Sequence, residues 1–161
     1  MSGHNLPQIL NEGRTKGFPE LSDRHIMTRW IISSQGFDLR TPLPPFWNFY
    51  DIGVNADLGT APIEVIQGGI AHELAEVRSH VIFGRVKSAL GSLHSYFSPN
   101  HRNNVEEAID TVVIVRGYGP QLAVAFEYLD KQIPKQSKIG LSPEKIREFA
   151  ADIAHIRQPA S

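Results

Sequence analysis

Residues 61–97 constrain what this chain can fold into more than any other stretch. Ile63, Ile66, Ile70, Leu74, Val77 and Val81 recur at steps of three and four, the repeat that aligns side chains along one stripe of an α-helix. Thr60 is placed to cap such a helix. Pro62 falls in its first turn, where a missing N–H costs nothing, and Glu64 faces the positive end of the helix dipole. Beyond Gly84 the stripe moves. Ile82, Val86, Leu90, Leu93 and Phe97 keep helical spacing but lie on roughly the opposite side. An unbroken helix of roughly 37 residues would extend ~55 Å, whereas a compact domain of this size is about 40 Å across. The segment therefore either breaks near Gly84 or projects so that its second half packs against another subunit. In the second case Ile82, Val86, Leu90, Leu93 and Phe97 form the interface. A symmetric dimer is then the expected assembly, since a stripe of that length left in water would be a large apolar patch.

The flanking sequence is read around this segment. With 161 residues, 41% of them hydrophobic and 20% charged, the chain suits one ordinary globular domain. Asn103 or Asn104 can cap a helix ending at Arg116 and Gly117. Pro120 opens another to about Gln132. Ser142, Pro143 and Glu144 stand in the preferred places at the start of a last helix, whose buried stripe is Ile146, Phe149, Ile153 and Ile156. Residues 1–20 carry Gly3, Pro7, Gly13, Gly17 and Pro19, a density of breakers that predicts an irregular arm. Asp23 ahead of Ile26 and Trp30 favours a helix over 24–35, with a strand as the competing reading of Trp30-Ile31-Ile32. Residues 41–50, with Pro42, Pro44 and Pro45, read as an extended strap that runs into Phe46, Trp47, Phe49 and Tyr50. The strap either seals the core or docks another protein through Phe46 and Trp47. The fold class expected is mostly α: a bundle of about five helices with a long central helical segment, residues 21–161 forming the domain. Its core is expected to include Ile66, Ile70, Leu74, Val77, Val81, Val112, Val115, Phe126, Leu129, Phe149 and Ile153.

Chemistry is sparsely signalled. A formal net charge of -1 supplies no general grip on nucleic acid, although Arg78, Arg85 and Lys87 give the long segment a cationic side that could touch phosphates. Zero Cys excludes a disulfide framework, a thiolate metal site and a cysteine nucleophile. No stretch approaches the ~18 uninterrupted apolar residues of a membrane span, and a cytoplasmic setting without a membrane partner is expected. Gly117-Tyr118-Gly119 lacks the third glycine of a dinucleotide fingerprint and reads better as a helix end followed by a new helix. One constellation remains: His72, Glu76 and His80, four residues apart, put imidazole, carboxylate and imidazole along one flank of a helix, a donor set that suits zinc or iron. His72-Glu73 opens like a His-Glu-x-x-His motif, but Glu76 occupies the place of the second histidine. No organic cofactor is indicated. A self-associating structural or adaptor protein is the leading functional expectation, with a metal-dependent helical enzyme and a nucleic-acid-backbone binder as alternatives.

Overall fold

The computed structural model describes residues 3–33, 35–40, 49–84, 98–132 and 140–157. Its centre is helix α2 (Ile63–Phe83), which buries Ile66, Ile70, Leu74 and Val77 as the apolar spacing predicts and Val65 besides, whereas Ile63 of the same stripe is exposed at the helix start. The helix starts directly after Pro62, with no side-chain cap from Thr60. It ends at Gly84, whose φ of 77° no α-helix continues. A continuous helix over 61–97 is thus ruled out, and the break falls at Gly84, one of the two alternatives the sequence offers. Ile82 lies on the last turn of α2, whereas Val86, Leu90, Leu93 and Phe97 lie outside the described residues.

Two consecutive glycines let α2 serve as the hub. A methyl group on Gly68 would stand 2.3 Å from the backbone oxygen of Gln121, and one on Gly69 would stand 2.1 Å from the Phe37 ring. Any side chain at either position would push the neighbouring layer away. Gln121 belongs to helix α4 (Gly119–Gln132), which packs along α2. Helix α3 (Pro99–Val113) begins ahead of the caps expected at Asn103 or Asn104 because Ser98 caps it, its hydroxyl accepting the His101 N–H. It joins α4 through a π-type turn, Ile114–Tyr118, in which Gly117 has φ 92°. That turn rotates Val115 outward, so Val115 is 39% exposed rather than a core residue. Helix α5 (Pro143–Ile156) starts as the sequence predicts, its Ser142 oxygen accepting from Lys145 N–H. Val81, Val112, Phe126, Leu129, Phe149 and Ile153 are partly buried against the main core.

The N-terminal third departs from expectation in two places. Residues 6–16 form helix α1 (Leu6–Lys16) rather than an irregular arm: Asn5 caps it, Pro7 sits in its first turn and Gly17 closes it. The expected helix over 24–35 is strand β1 (His25–Ile31). It pairs in parallel with β3 (Phe49–Asn55), His25 opposite Phe49 through Ile31 opposite Asn55, while β2 (Phe37–Arg40) pairs antiparallel on the other side. The chain is therefore mostly helical with a small mixed sheet in the order β1-β3-β2. Central β3 is buried on both faces, which is how Tyr50, Ile52 and Val54 come to pack beneath the helices. The strap residues 41–48, including Phe46 and Trp47, lie outside the described residues. Among the described residues no helix is long and apolar enough to cross a membrane.

Candidate metal centre

His72 and Glu76 occupy successive turns of α2, and Glu106 and Asp110 occupy successive turns of α3. Two pairs with the same four-residue spacing thus face one another. His72 meets Asp110, with Nδ1 and Oδ1 3.1 Å apart, while its Nε2 lies 3.5 Å from Glu106 Oε2 and 3.7 Å from Glu76 Oε1. One ligand atom each from His72, Glu76 and Glu106 falls within 4.8 Å of the others. Two donors that each sit ~2.1 Å from one tetrahedral ion are about 3.4 Å apart, so these gaps match a metal-sized space.

The second layer suits the same use. Asp110 is fully buried and accepts from the Leu141 N–H at 2.9 Å through Oδ2, leaving Oδ1 for His72. A carboxylate only accepts, so Nδ1 presents a proton to Asp110, and once Nε2 gives up its own proton the freed lone pair points toward Glu76 and Glu106. Phe126 packs against the imidazole edge-on, with ring centroids 6.1 Å apart. Glu73, one residue on, is buried.

The electrostatics of the cluster are unbalanced. Burial by itself lowers the His72 pKa, but its hydrogen bonds to Asp110, Glu106 and Glu76 together overcome this and hold it well above the ordinary imidazole value. Burial raises the Glu73 pKa well above the usual carboxyl range. The negative charge of Glu76 adds to that rise, and His72 opposes it. The formal charges of Glu76, Glu106 and Asp110 against one imidazolium leave an excess of two negatives, before Glu73 is counted. Exchanging the Nε2 proton for a divalent cation leaves an excess of one. A cation therefore improves on the proton in a place where uncompensated charge is costly.

The cluster opens on a cavity of about 910 Å³, walled by Phe37 and Leu39 of β2, by Phe126 and Leu129 of α4, and by residues 140–144 at the start of α5. Asp38, Glu127, Asp130 and Glu144 add four carboxylates to its lining, and Arg102 and Lys131 add two cations. This wall is acidic on balance.

The remaining sequence candidates go elsewhere. His80, two turns beyond His72, stacks on Tyr50 at 6.3 Å between ring centroids and takes no part in the cluster. A drift of ~40° for each step of four residues carries it round the helix. Arg78 donates to Glu20 at 2.8 Å, as does Arg116 at 2.6 Å, so it belongs to an ion-pair group rather than to a cationic face. Arg85 and Lys87 lie outside the described residues. Gly117-Tyr118-Gly119 is a helix junction, in keeping with the sequence reading. Glu106 and Asp110 are the members that the sequence reading missed. Their four-residue spacing, matching that of His72 and Glu76, was the available signal. No protein-family model, curated protein or solved structure matches this chain.

Proposed function

We propose that the protein is a small metal-dependent enzyme whose divalent ion is held by His72, Glu76 and Glu106. The observation that carries this reading is the convergence of those three donors around one point, with Asp110 orienting the histidine from behind. The preponderance of carboxylates shifts the preferred ion from zinc or iron toward manganese, which accepts both oxygen and imidazole donors. An ion there would polarise a carbonyl or phosphoryl oxygen and acidify a water molecule, which is the chemistry of assisted hydrolysis. The positive charge of an ion would oppose the burial that favours protonated Glu73, and Glu73, once ionised beside the cluster, would serve as general base and take a proton from the attacking water.

The acidic lining bears on the substrate. An anion arriving alone is repelled by the carboxylates, so a substrate carrying oxyanion groups binds with the ion or after it. Three protein donors leave open positions that substrate oxygens would fill. The test combines metal analysis of protein purified without an affinity tag and a hydrolysis screen of phosphate and carboxylate esters with added Mn2+. Bound metal and turnover that both disappear in His72→Ala would support the reading. Metal-free protein that neither takes up Mn2+ nor hydrolyses any member of the screen would overturn it.

Self-association is a second reading, supported by Ile82 and Phe83, which are 53% and 62% exposed at the end of α2. Light scattering at tens of micromolar protein decides it: a mass near 17.9 kDa removes the reading, and a dimer converted to folded monomer by Phe83→Glu sustains it.

A further inference from the structure

Asp110 divides its two oxygens between the metal cluster and the start of α5. Oδ1 accepts from His72, and Oδ2 accepts from the backbone of Leu141. The preceding residue is tied to the same helix: the Gly140 N–H donates to Asn103 Oδ1 at 3.0 Å, and the Asn103 amide donates to Glu107 at 2.7 Å. Residues 140 and 141 are thus stitched to α3 on either side of Glu106. Gly140 has φ 90°, and a methyl group there would lie 2.4 Å from Asp110 Oδ2. The position admits glycine because both the backbone angle and the space require it. The next residues, Ser142, Pro143 and Glu144, form one wall of the cavity.

We infer that Asp110, anchored by the Leu141 N–H and supported by the Asn103–Gly140 bond, is a positioning residue for the metal. It fixes the His72 ring with Nε2 free, and through it the ion and the α5 wall of the cavity stabilise one another. This rests on the metal reading given above. The coupling follows from two facts of chemistry. A cation on Nε2 makes the Nδ1–H more acidic and strengthens its bond to Asp110, while a carboxylate that is itself well anchored orients the imidazole and raises its basicity. Because linkage is reciprocal, whatever loosens residues 140–141 weakens the ion, and the ion in turn tightens those residues. The wall on which a substrate would lean is then set only after the metal is in place.

The experiment titrates Mn2+ into wild type, Asp110→Asn, Gly140→Ala and Asn103→Ala, and follows amide hydrogen exchange across residues 141–156 with and without saturating Mn2+. Asp110→Asn replaces one acceptor with a donor that faces either the imidazole or the Leu141 N–H, and a loss of affinity of about 10–100-fold is expected. Gly140→Ala and Asn103→Ala should each lose severalfold while leaving the three ligands in place. Asn103→Ala carries the test if Asp110→Asn does not fold. In wild type, Mn2+ should slow exchange in the first turns of α5, and in Asp110→Asn it should not. Wild-type affinity retained in all the folded variants, or exchange in α5 indifferent to Mn2+, would overturn this inference alone. A wild type that takes up no Mn2+ would overturn the metal reading and this inference with it.

Discussion

Gly68→Ala is the substitution for which helix propensity and packing give opposite answers. In an isolated helix, alanine is favoured over glycine by about 1 kcal/mol, so propensity predicts a more stable protein. Here the added methyl would lie 2.3 Å from the Gln121 oxygen, 2.6 Å from its carbonyl carbon and 2.9 Å from the Leu122 nitrogen. All three are backbone atoms, so no side chain can swing aside, and α2 and α4 must separate by about 1 Å to restore ordinary contact distances. Overpacking of this kind costs ~1–3 kcal/mol and at times more, and because only backbone atoms could yield, the cost here lies toward the upper end and leaves a net loss of up to about 2 kcal/mol. For a domain of this size, that corresponds to a fall in melting temperature of up to roughly 8 °C. Thermal unfolding followed by circular dichroism measures it, with a urea titration to confirm that the midpoint moves while the slope does not. Gly59→Ala is the control. Nothing lies within 4 Å of a methyl group there, and its effect should stay below about 0.5 kcal/mol. A Gly68→Ala protein that melts above wild type would refute the close helix crossing on which the fold description depends.

Leu74→Ala should cost about 2–5 kcal/mol in chemical denaturation, since Leu74 is fully buried on α2 and meets α1 at Gly13. The stability of metal-free protein should fall as pH rises. Both His72 and Glu73 bind protons more tightly folded than unfolded: the Glu73 contribution fades from the ordinary carboxyl range up to its raised value, and that of His72 from the ordinary imidazole range up to its own. Added Mn2+ should reverse the trend at neutral and alkaline pH, because the ion replaces those protons. Urea midpoints measured between pH 5 and 9, with and without Mn2+, check the sign. A metal-free stability that climbs through this range would contradict the assignment of the two raised groups.

The helical part of this fold was legible where punctuation and periodicity agreed. Ser142, Pro143 and Glu144 announce α5, and the Ile66–Ile70–Leu74–Val77 stripe gives the buried face of α2. The same residue types misled at the N-terminus. Pro7, Gly13 and Gly17 look like breakers in a row, yet Pro7 occupies the first turn of α1, Gly13 lets Leu74 approach and Gly17 marks the helix end. Strand β1 was misread because its stability resides in a partner more than 20 residues away: seven residues of His25–Ile31 pair with Phe49–Asn55, and nothing local to 25–31 encodes that ladder. The candidate site divides along the same line. His72 and Glu76 stand out as a pair on one helix, whereas Glu106 and Asp110 gain meaning only once α3 lies against α2. His80 was included on spacing alone, and a helix turns it away.

The central claim is that His72, Glu76 and Glu106 hold one divalent ion, and the most direct measurement is a titration with Mn2+ followed by electron paramagnetic resonance. In this assay the free ion gives a strong signal and the bound ion a weak one. Wild-type protein should remove about one equivalent of the signal in a saturable manner. Glu106→Gln, which exchanges a charged ligand oxygen for a neutral amide, should weaken uptake by at least about tenfold with its far-UV circular dichroism unchanged. Free Mn2+ signal that rises in proportion to added ion from the first point up to millimolar concentration, or a Glu106→Gln protein that binds as tightly as wild type, would contradict the account.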